Sequence, residues 1–239
     1  MTEQASKLLH TSNVYYHEWA PKLAELLVTL TQKEGGLGYA ANSANEPTAK
    51  VFFANSGTEA NEGALKIARK VGKDRWTAET GISWESDPSK CPKTRIACFE
   101  NSFHGRSMGS ISVTINAKYQ NPFTPLIPGV DVGELNDLNC ISKIVTKDTC
   151  AVIVEPIQGE GGINAADIEW LRALRKRCNE LEAVLIYDEI QVMFKYASEY
   201  QFVLIDGIVR YIPNGHHVGS LKIPHRMPSR HSDYGQAAG

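Results

Sequence analysis

The sequence predicts an α/β protein with a mainly parallel sheet covered by helices on both faces. Its predicted strands are continuous apolar runs rather than alternating ones, and amphipathic segments separate them. Polar segments follow these strands, at the edge of the sheet where open α/β folds bind ligands. The composition agrees, because 42% hydrophobic and 22% charged residues among 239 are typical of a folded globular chain.

Four apolar runs have the length of buried strands, and each is followed by polar or turn-forming residues. Because they are apolar throughout, both faces of each strand are expected to be covered. The predicted strands are Lys50–Phe53, Arg95–Phe99, Ala151–Val154 and Val184–Tyr187.

Three segments repeat apolar residues at the spacing of one helix face. The first is stopped by Gly35 and Gly36, and the second begins directly after a strand and a tight turn at 55–57. A polar stretch over 76–92, rich in proline and serine, predicts a loop. The predicted helices cover about 15–33, 60–71 and 168–181.

The charge balance favours a small-molecule ligand. With 25 basic and 27 acidic side chains the net charge is −2, so the chain lacks a basic field for nucleic acid or an anionic membrane surface. No apolar run approaches the length of a membrane-spanning helix, and the N-terminus resembles neither a signal peptide nor a transit peptide. No cluster has zinc-site spacing, so no metal is expected.

The five cysteines are expected to be reduced thiols packed in the core. Their number is odd, they form no C-x-x-C pair, and some lie inside apolar runs. Such thiols suit the cytosol or the mitochondrial matrix. They are Cys91, Cys98, Cys140, Cys150 and Cys178.

The segment from Asn55 to Asn61 opens a predicted helix directly after a strand. The free N–H groups at such a helix start, with the Ser56 hydroxyl, would form a cradle for a phosphate group. The spacing of Ser56 and Glu59 fits a capping box equally well. Both interpretations stay open on these residues alone.

Asp188 ends an apolar strand and is followed by Glu189. A carboxylate at this edge of the sheet can pair with a cationic ring nitrogen. A nucleoside-triphosphatase magnesium site is rejected, because the sequence contains no G-x-x-x-x-G-K-[ST] loop. A pair of solvated acids remains the alternative.

Two loops after other strands carry further candidates. Phe103, His104 and Arg106 could stack on a flat ring and bind a carboxylate, although such a loop can also be merely solvated. The loop 155–162 contains three glycines, which permit either close approach to a ligand or a sharp turn, and it is no dinucleotide-binding motif.

In this order the motifs resemble those of the class III aminotransferases, which use pyridoxal 5′-phosphate. The resemblance runs from about Leu9 to Gln191, and its main blocks are Phe53–Glu62, Phe103–Ser107, Val154–Gly162 and Asp188–Gln191. It implies the large domain of a fold type I pyridoxal-phosphate-dependent transferase, an amino donor and a 2-oxo acid as substrates, a homodimer, and the mitochondrial matrix. The blocks beginning at Leu9 and Phe103 favour family members that act on acetylornithine.

The resemblance also implies a role for each site residue. Ser56, Gly57 and Thr58 would hold the phosphate. Phe103 and Ile190 would cover the two faces of the pyridine ring, with His104 beside them. Asp188 would pair with the ring nitrogen, and Gln191 would approach the ring hydroxyl. In the substrate site, Arg106 would bind the α-carboxylate, and Glu155 would lie near the arginines that face the substrate.

The family pattern is lost after Gln191. The family places its Schiff-base lysine on a later strand, within T-M-A-K-[PA]-L, whereas the lysines after Asp188 here are Lys195 and Lys222, in other contexts. The long segment that normally precedes Leu9 is also missing. We therefore expect an incomplete chain without transaminase activity; the alternative function is a silent fragment that binds only the cofactor or a partner subunit.

Three regions are expected: a helical N-terminal segment over 1–48, a partial cofactor-binding domain over 49–191, and a non-native tail over 192–239. Codons for the last residues of the tail, read one base later, can encode M-A-K-P-L. The tail is therefore expected to represent a retained intron followed by a shifted reading frame.

Overall fold

The computed structural model describes residues 1–12, 14–33, 50–190, 202–205 and 208–211. The helices are α1 (Thr2–Lys7), α2 (Trp19–Lys33), α3 (Gly57–Thr80), α4 (Met108–Ser112), α5 (Ala117–Gln120), α6 (Leu138–Ile144) and α7 (Ile168–Glu180), with a short 3-10 helix at Asn121–Phe123. The strands are β1 (Lys50–Phe53), β2 (Arg95–Phe99), β3 (Val130–Gly133), β4 (Thr149–Val154), β5 (Ile157–Gln158), β6 (Asn164–Ala165), β7 (Val184–Asp188), β8 (Phe202–Ile205) and β9 (Ile208–Tyr211).

Seven of these strands form one sheet in the order β1-β9-β8-β7-β4-β2-β3. The run from β3 to β8 is parallel, whereas β9 pairs antiparallel with both β8 and β1. Strands β5 and β6 form a separate antiparallel hairpin. The prediction of a mainly parallel sheet is confirmed.

Helices cover both faces of the central strands. On one face, α3 presents a row of small residues that lets its backbone approach the sheet: Ala60, Ala64 and Ala68. On the other face, Trp170 and Leu174 of α7 pack with residues of α6 over β4 and β7. All residues of β4 and β7 are buried, which explains why these strands are continuously apolar in the sequence.

The predicted strands occur at the expected positions, with one difference in burial. β1 lies at the edge of the sheet, and Phe52 remains 43% exposed. The prediction that β1 is buried is therefore wrong, because a short apolar run does not reveal whether it is an edge or a central strand. β4 also begins at Thr149, two residues before its predicted start.

The helices differ from the predictions mainly at their ends. α3 continues to Thr80 and therefore includes the first residues of the loop predicted over 76–92. Its C-cap is Gly81, which has a φ of 72°. α2 begins at Trp19 rather than near Tyr15, and Trp19 is 51% exposed. Among the described residues, no helix is both long and apolar enough to cross a membrane.

The sequence did not predict α1, β3, α4, α5, α6 or the hairpin of β5 and β6. It also left the region after Gln191 without elements, whereas the structure contains β8 and β9 there. β8 extends the parallel part of the sheet beside β7, and β9 turns back to pair with β1. The predicted division into three regions stays a prediction.

The five cysteines are free and buried, as predicted. Burial raises the pKa of Cys150 to about 11 and that of Cys178 to about 12, because an apolar environment disfavours the thiolate. These thiols are therefore packing residues rather than nucleophiles.

Candidate cofactor site

The candidate residues meet at the carboxyl end of the parallel strands. Asp188 is the last residue of β7, Glu155 follows β4, and the loop with Phe103 and His104 follows β2. The start of α3 closes the group, since a Cβ on Gly57 would lie 2.5 Å from Cδ1 of Ile190. The structure thus brings together residues that are far apart in the sequence.

Asp188 is 6% exposed and is held by three donors. Its Oδ2 accepts from His104 Nδ1 at 2.8 Å and from Asn61 Nδ2 at 2.9 Å, while Oδ1 accepts from the backbone N–H of Ile190 at 3.2 Å. Glu189 is buried as well. The alternative of two solvated acids is therefore wrong, and the three hydrogen bonds fix the orientation of the Asp188 carboxylate.

His104 is a buried part of the same network, with 2% of its surface exposed. Because Asp188 is an acceptor, Nδ1 of His104 must carry the proton. The backbone N–H of His104 donates to Oγ1 of Thr114 at 2.8 Å, and its carbonyl accepts from Asn61. The alternative of a solvated loop is therefore wrong for His104.

At the start of α3 the structure decides against the capping box. Ser56 makes no side-chain capping bond; instead, Glu59 accepts from the backbone N–H of Asn55 at 3.0 Å, so the Ser56–Glu59 capping box is not formed. An α-helix leaves its first N–H groups without helical partners, and here they belong to Gly57 and Thr58. The Thr58 hydroxyl itself pairs with the hydroxyl of Ser107 at 2.8 Å.

Phe103 and Arg106 lie at the rim of the site around Tyr119. The Phe103 and Tyr119 rings meet edge to face at 5.5 Å, and the exposed Arg106 guanidinium lies 4.9 Å from the centre of the Tyr119 ring. The Tyr119 hydroxyl donates to Oε1 of Glu160 at 2.7 Å. Arg106 is therefore accessible to a ligand entering from solvent, while Tyr119 anchors the loop 159–162.

Glu155 is buried deeper than its predicted role requires. It is 7% exposed, and its Oε2 accepts from the backbone N–H of Phe103 at 2.9 Å. Burial raises the pKa of Glu155 to about 7, and the neighbouring Asp188 contributes in the same direction, although His104 and the Phe103 N–H oppose the shift. Glu155 can therefore hold a proton near neutral pH.

Replacing Glu155 should remove a pH dependence of stability. Between its ordinary pKa of 4.5 and its folded value of about 7, the folded state binds more protons than the unfolded state, so stability falls as pH rises. We expect the unfolding free energy of the wild type to drop by roughly 3 kcal/mol more than that of Glu155→Gln between pH 4.5 and pH 8. Urea unfolding across this range measures the difference. Equal slopes would contradict the burial of an ionisable Glu155, and Glu85→Gln, at an exposed position outside the site, is the matched control.

Sequence reasoning missed Asn61, Ser107, Thr114 and Tyr119. Asn61 had a recognisable signal, because it is an amide within the first turns of α3, whose other buried residues up to Gly72 are glycine or apolar. The others contact the site across loops whose course the sequence does not reveal. Gln191, predicted near the ring hydroxyl, lies outside the described residues.

Residues 1–194 match the aminotransferase class-III family. The chain is 50% identical over 191 residues to the mitochondrial acetylornithine aminotransferase of Neurospora crassa, covering 80% of this chain and 37% of that protein. It is 42% identical to the succinylornithine transaminase of Yersinia enterocolitica, covering 80% of this chain and 41% of that protein.

Two solved aminotransferase structures share the fold of this chain. The N-acetylornithine aminotransferase of Stenotrophomonas maltophilia is 28% identical with a TM-score of 0.59, covering 89% of this chain and 50% of that chain. The ornithine aminotransferase of Toxoplasma gondii has a TM-score of 0.67 at 23% identity, with coverages of 88% and 48%. The chain thus spans about two fifths of its curated relatives and half of these structures.

Proposed function

Because the chain belongs to the class III aminotransferase family, we propose that it binds pyridoxal 5′-phosphate at the carboxyl end of its sheet. The observation that carries the proposal is the buried carboxylate of Asp188, oriented by Asn61 and His104 beside the start of α3. A buried carboxylate next to a helix N-terminus matches a cationic ring that carries a phosphate.

The remaining residues fit the same ligand. Phe103 and Ile190 supply apolar groups for the two faces of the ring, and Gly57 with Thr58 supplies N–H groups for the phosphate, next to the uncapped Ser56. When bound, the cofactor supplies a protonated ring that accepts the electrons released when the substrate loses its α-proton. Asp188 keeps the ring nitrogen protonated, because a negative charge at that position stabilises the cation.

We propose that the complete protein exchanges an amino group between N-acetylornithine and 2-oxoglutarate. The names of the Neurospora crassa and Yersinia enterocolitica relatives support an acylated ornithine as the donor. The exposed guanidinium of Arg106 is suited to the α-carboxylate that amino acids and 2-oxo acids share. The mitochondrial matrix is the proposed location, since several relatives are named as mitochondrial.

The second candidate is a silent protein that binds the cofactor or a partner subunit without transamination. It is favoured by the sequence contexts of Lys195 and Lys222, which differ from that of the family's lysine. Without a suitably placed amine, the usual base for moving the substrate proton is missing.

A homodimer is proposed as the assembly. Apolar side chains cluster at the surface of the N-terminal segment and α2, and a second copy would cover them. The exposed residues are Leu9, Val14, Tyr15, Tyr16, Trp19, Leu23 and Leu26.

Binding of pyridoxamine 5′-phosphate tests the cofactor proposal, because this form has no aldehyde and needs no lysine. We expect saturable binding in a calorimetric titration, and at least a tenfold loss of affinity for Asp188→Asn, which removes the charge facing the ring nitrogen. Asp131→Asn is the control, since Asp131 pairs with Arg95 away from the site. Pyridoxamine without phosphate should bind more weakly. Absence of binding by the wild type, or equal affinity of Asp188→Asn, would refute the proposal.

A further inference from the structure

Asn61 is fully buried on α3 and connects two separate parts of the site. Its Nδ2 donates both to the His104 carbonyl at 2.7 Å and to Oδ2 of Asp188 at 2.9 Å. One amide group thereby ties the helix that supplies the phosphate cradle to the loop after β2 and to the end of β7.

The orientation of this amide is fixed by its partners. A carbonyl and a carboxylate are both acceptors, so the NH2 group must face them; a flipped amide would place Oδ1 against two further oxygens. Oδ2 of Asp188 already accepts from His104, and the second bond from Asn61 restricts rotation of the carboxylate. Asn61 therefore helps to fix the orientation of the Asp188 carboxylate.

We propose that Asn61 is a positioning residue for the cofactor, acting through Asp188 and His104. The proposal rests on the proposed cofactor binding and adds to it the group that aligns the charged carboxylate. Oδ2 of Asp188 accepts two hydrogen bonds, from Asn61 and His104, whereas Oδ1 accepts one, from the backbone N–H of Ile190, so Oδ1 keeps a lone pair for a ring nitrogen. Pre-alignment of this kind increases affinity, because the carboxylate does not have to be ordered on binding.

Asn61→Asp distinguishes positioning from simple packing because it preserves shape. Two carboxylates at this distance cannot both be ionised, so the pair takes up one proton as pH falls. The protonated Asp would then donate its single O–H to Asp188, while the bond that Asn61 makes to the His104 carbonyl is lost at both pH values. Besides each other, the pair faces His104 and Glu155. Glu155 itself titrates in this range, so the variant is compared with the wild type at each pH, and Glu155 is present in both proteins.

The experiment measures pyridoxamine 5′-phosphate affinity at pH 8.0 and pH 5.5. For Asn61→Asp we expect more than a tenfold loss relative to the wild type at pH 8.0, reduced to less than threefold at pH 5.5. Asn61→Ala should be weakened to the same extent at both pH values. Asn136→Asp is the matched control, because Asn136 also bridges two segments, through Ala165 and Asp167, neither of which belongs to the site. A pH-independent loss for Asn61→Asp would reduce Asn61 to a packing residue and overturn the proposal.

The ligand-free protein provides a second measurement. The melting temperature of Asn61→Asp should lie well below that of the wild type at pH 8.0, and the difference should narrow at pH 5.5 as the pair gains its proton. If the melting-temperature difference narrows at pH 5.5 but the wild type binds no pyridoxamine 5′-phosphate, the proposal of cofactor binding is refuted, whereas the Asn61–Asp188 contact is supported. A melting-temperature difference that does not change with pH overturns the positioning role.

Discussion

Gly105→Ala is expected to lower the melting temperature by roughly 10 °C and to weaken pyridoxamine 5′-phosphate binding at least tenfold. Gly105 has a φ of 121°, a region in which a side chain costs about 1–3 kcal/mol. An added Cβ would also lie 2.7 Å from Cβ and 3.1 Å from Cα of Thr58, besides contacting its hydroxyl. Because Cα belongs to the backbone, the start of α3 would have to move, at a further cost of about 1–3 kcal/mol. The combined cost, about 4 kcal/mol, corresponds to the stated shift for a chain of this size.

Gly81→Ala separates the two contributions. Gly81 also has a positive φ, of 72°, but no heavy atom lies within 4 Å of an added Cβ. We expect a melting-temperature decrease of roughly 3 °C, from backbone strain of about 1 kcal/mol, and unchanged ligand affinity. If Gly105→Ala shows the same small melting-temperature decrease and the same unchanged affinity as Gly81→Ala, the close packing of Gly105 on Thr58 does not maintain the start of α3.

The sequence predicts the centre of this fold well because burial on both faces leaves a strong pattern. β2, β4 and β7 lie in the interior of the sheet, so almost every residue is apolar and the runs are easily recognised. β3 reads Val-Asp-Val-Gly and includes an exposed Val132, so it lacks such a run. The short helices between β2 and β4 contain too few turns to show a helical period.

The candidate site could be located for a similar reason. Parallel strands bring their carboxyl ends to one edge, so Asp188 and the loop after β2 had to be near each other once the strands were recognised. Asn61 could not be assigned in this way, because its partners depend on how closely α3 packs against the sheet. The burial of Glu155 could not be predicted either, because it depends on the course of the neighbouring loops.

Codons for the tail after Gln191 permit family sequence in a shifted reading frame. Codons for Tyr234–Gly239 read one base later permit M-A-K-P-L, and those for Met227–Asp233 permit C-H-P-D-I-L-T. Codons for Val209–Ser220 permit C-G-[IT]-[FYS]-R-T-G-T-M-W-A-H in the same frame. The three segments share one reading frame, and two of them, 227–233 and 234–239, are contiguous, which is difficult to obtain from codon degeneracy alone.

The codons for residues 192–208 can carry the boundary sequences of an intron. The codon for Val192 begins with GT, as splice donors do, and Ile208 encoded as ATA, followed by the first base of Val209, ends in the acceptor TAG. Removing the codons for residues 192–208 and that one base joins Gln191 to C-G and restores the lysine-containing frame. β8 is encoded inside this interval, so the spliced product would have to supply a different neighbour for β7.

We expect the spliced reading frame to convert a protein without detectable transamination into one that turns over N-acetylornithine with 2-oxoglutarate. The physical reason is the amine that the restored lysine provides within reach of a cofactor held by Asp188 and the start of α3. Expression of both forms, assayed for glutamate production, measures the change, and substitution of the restored lysine by alanine is the control. Sequencing of mature transcripts tests the origin directly. If every message retains the interval, or the genomic DNA lacks the donor and acceptor, the tail is not an intron product; turnover by the 239-residue chain itself would show that the restored lysine is unnecessary.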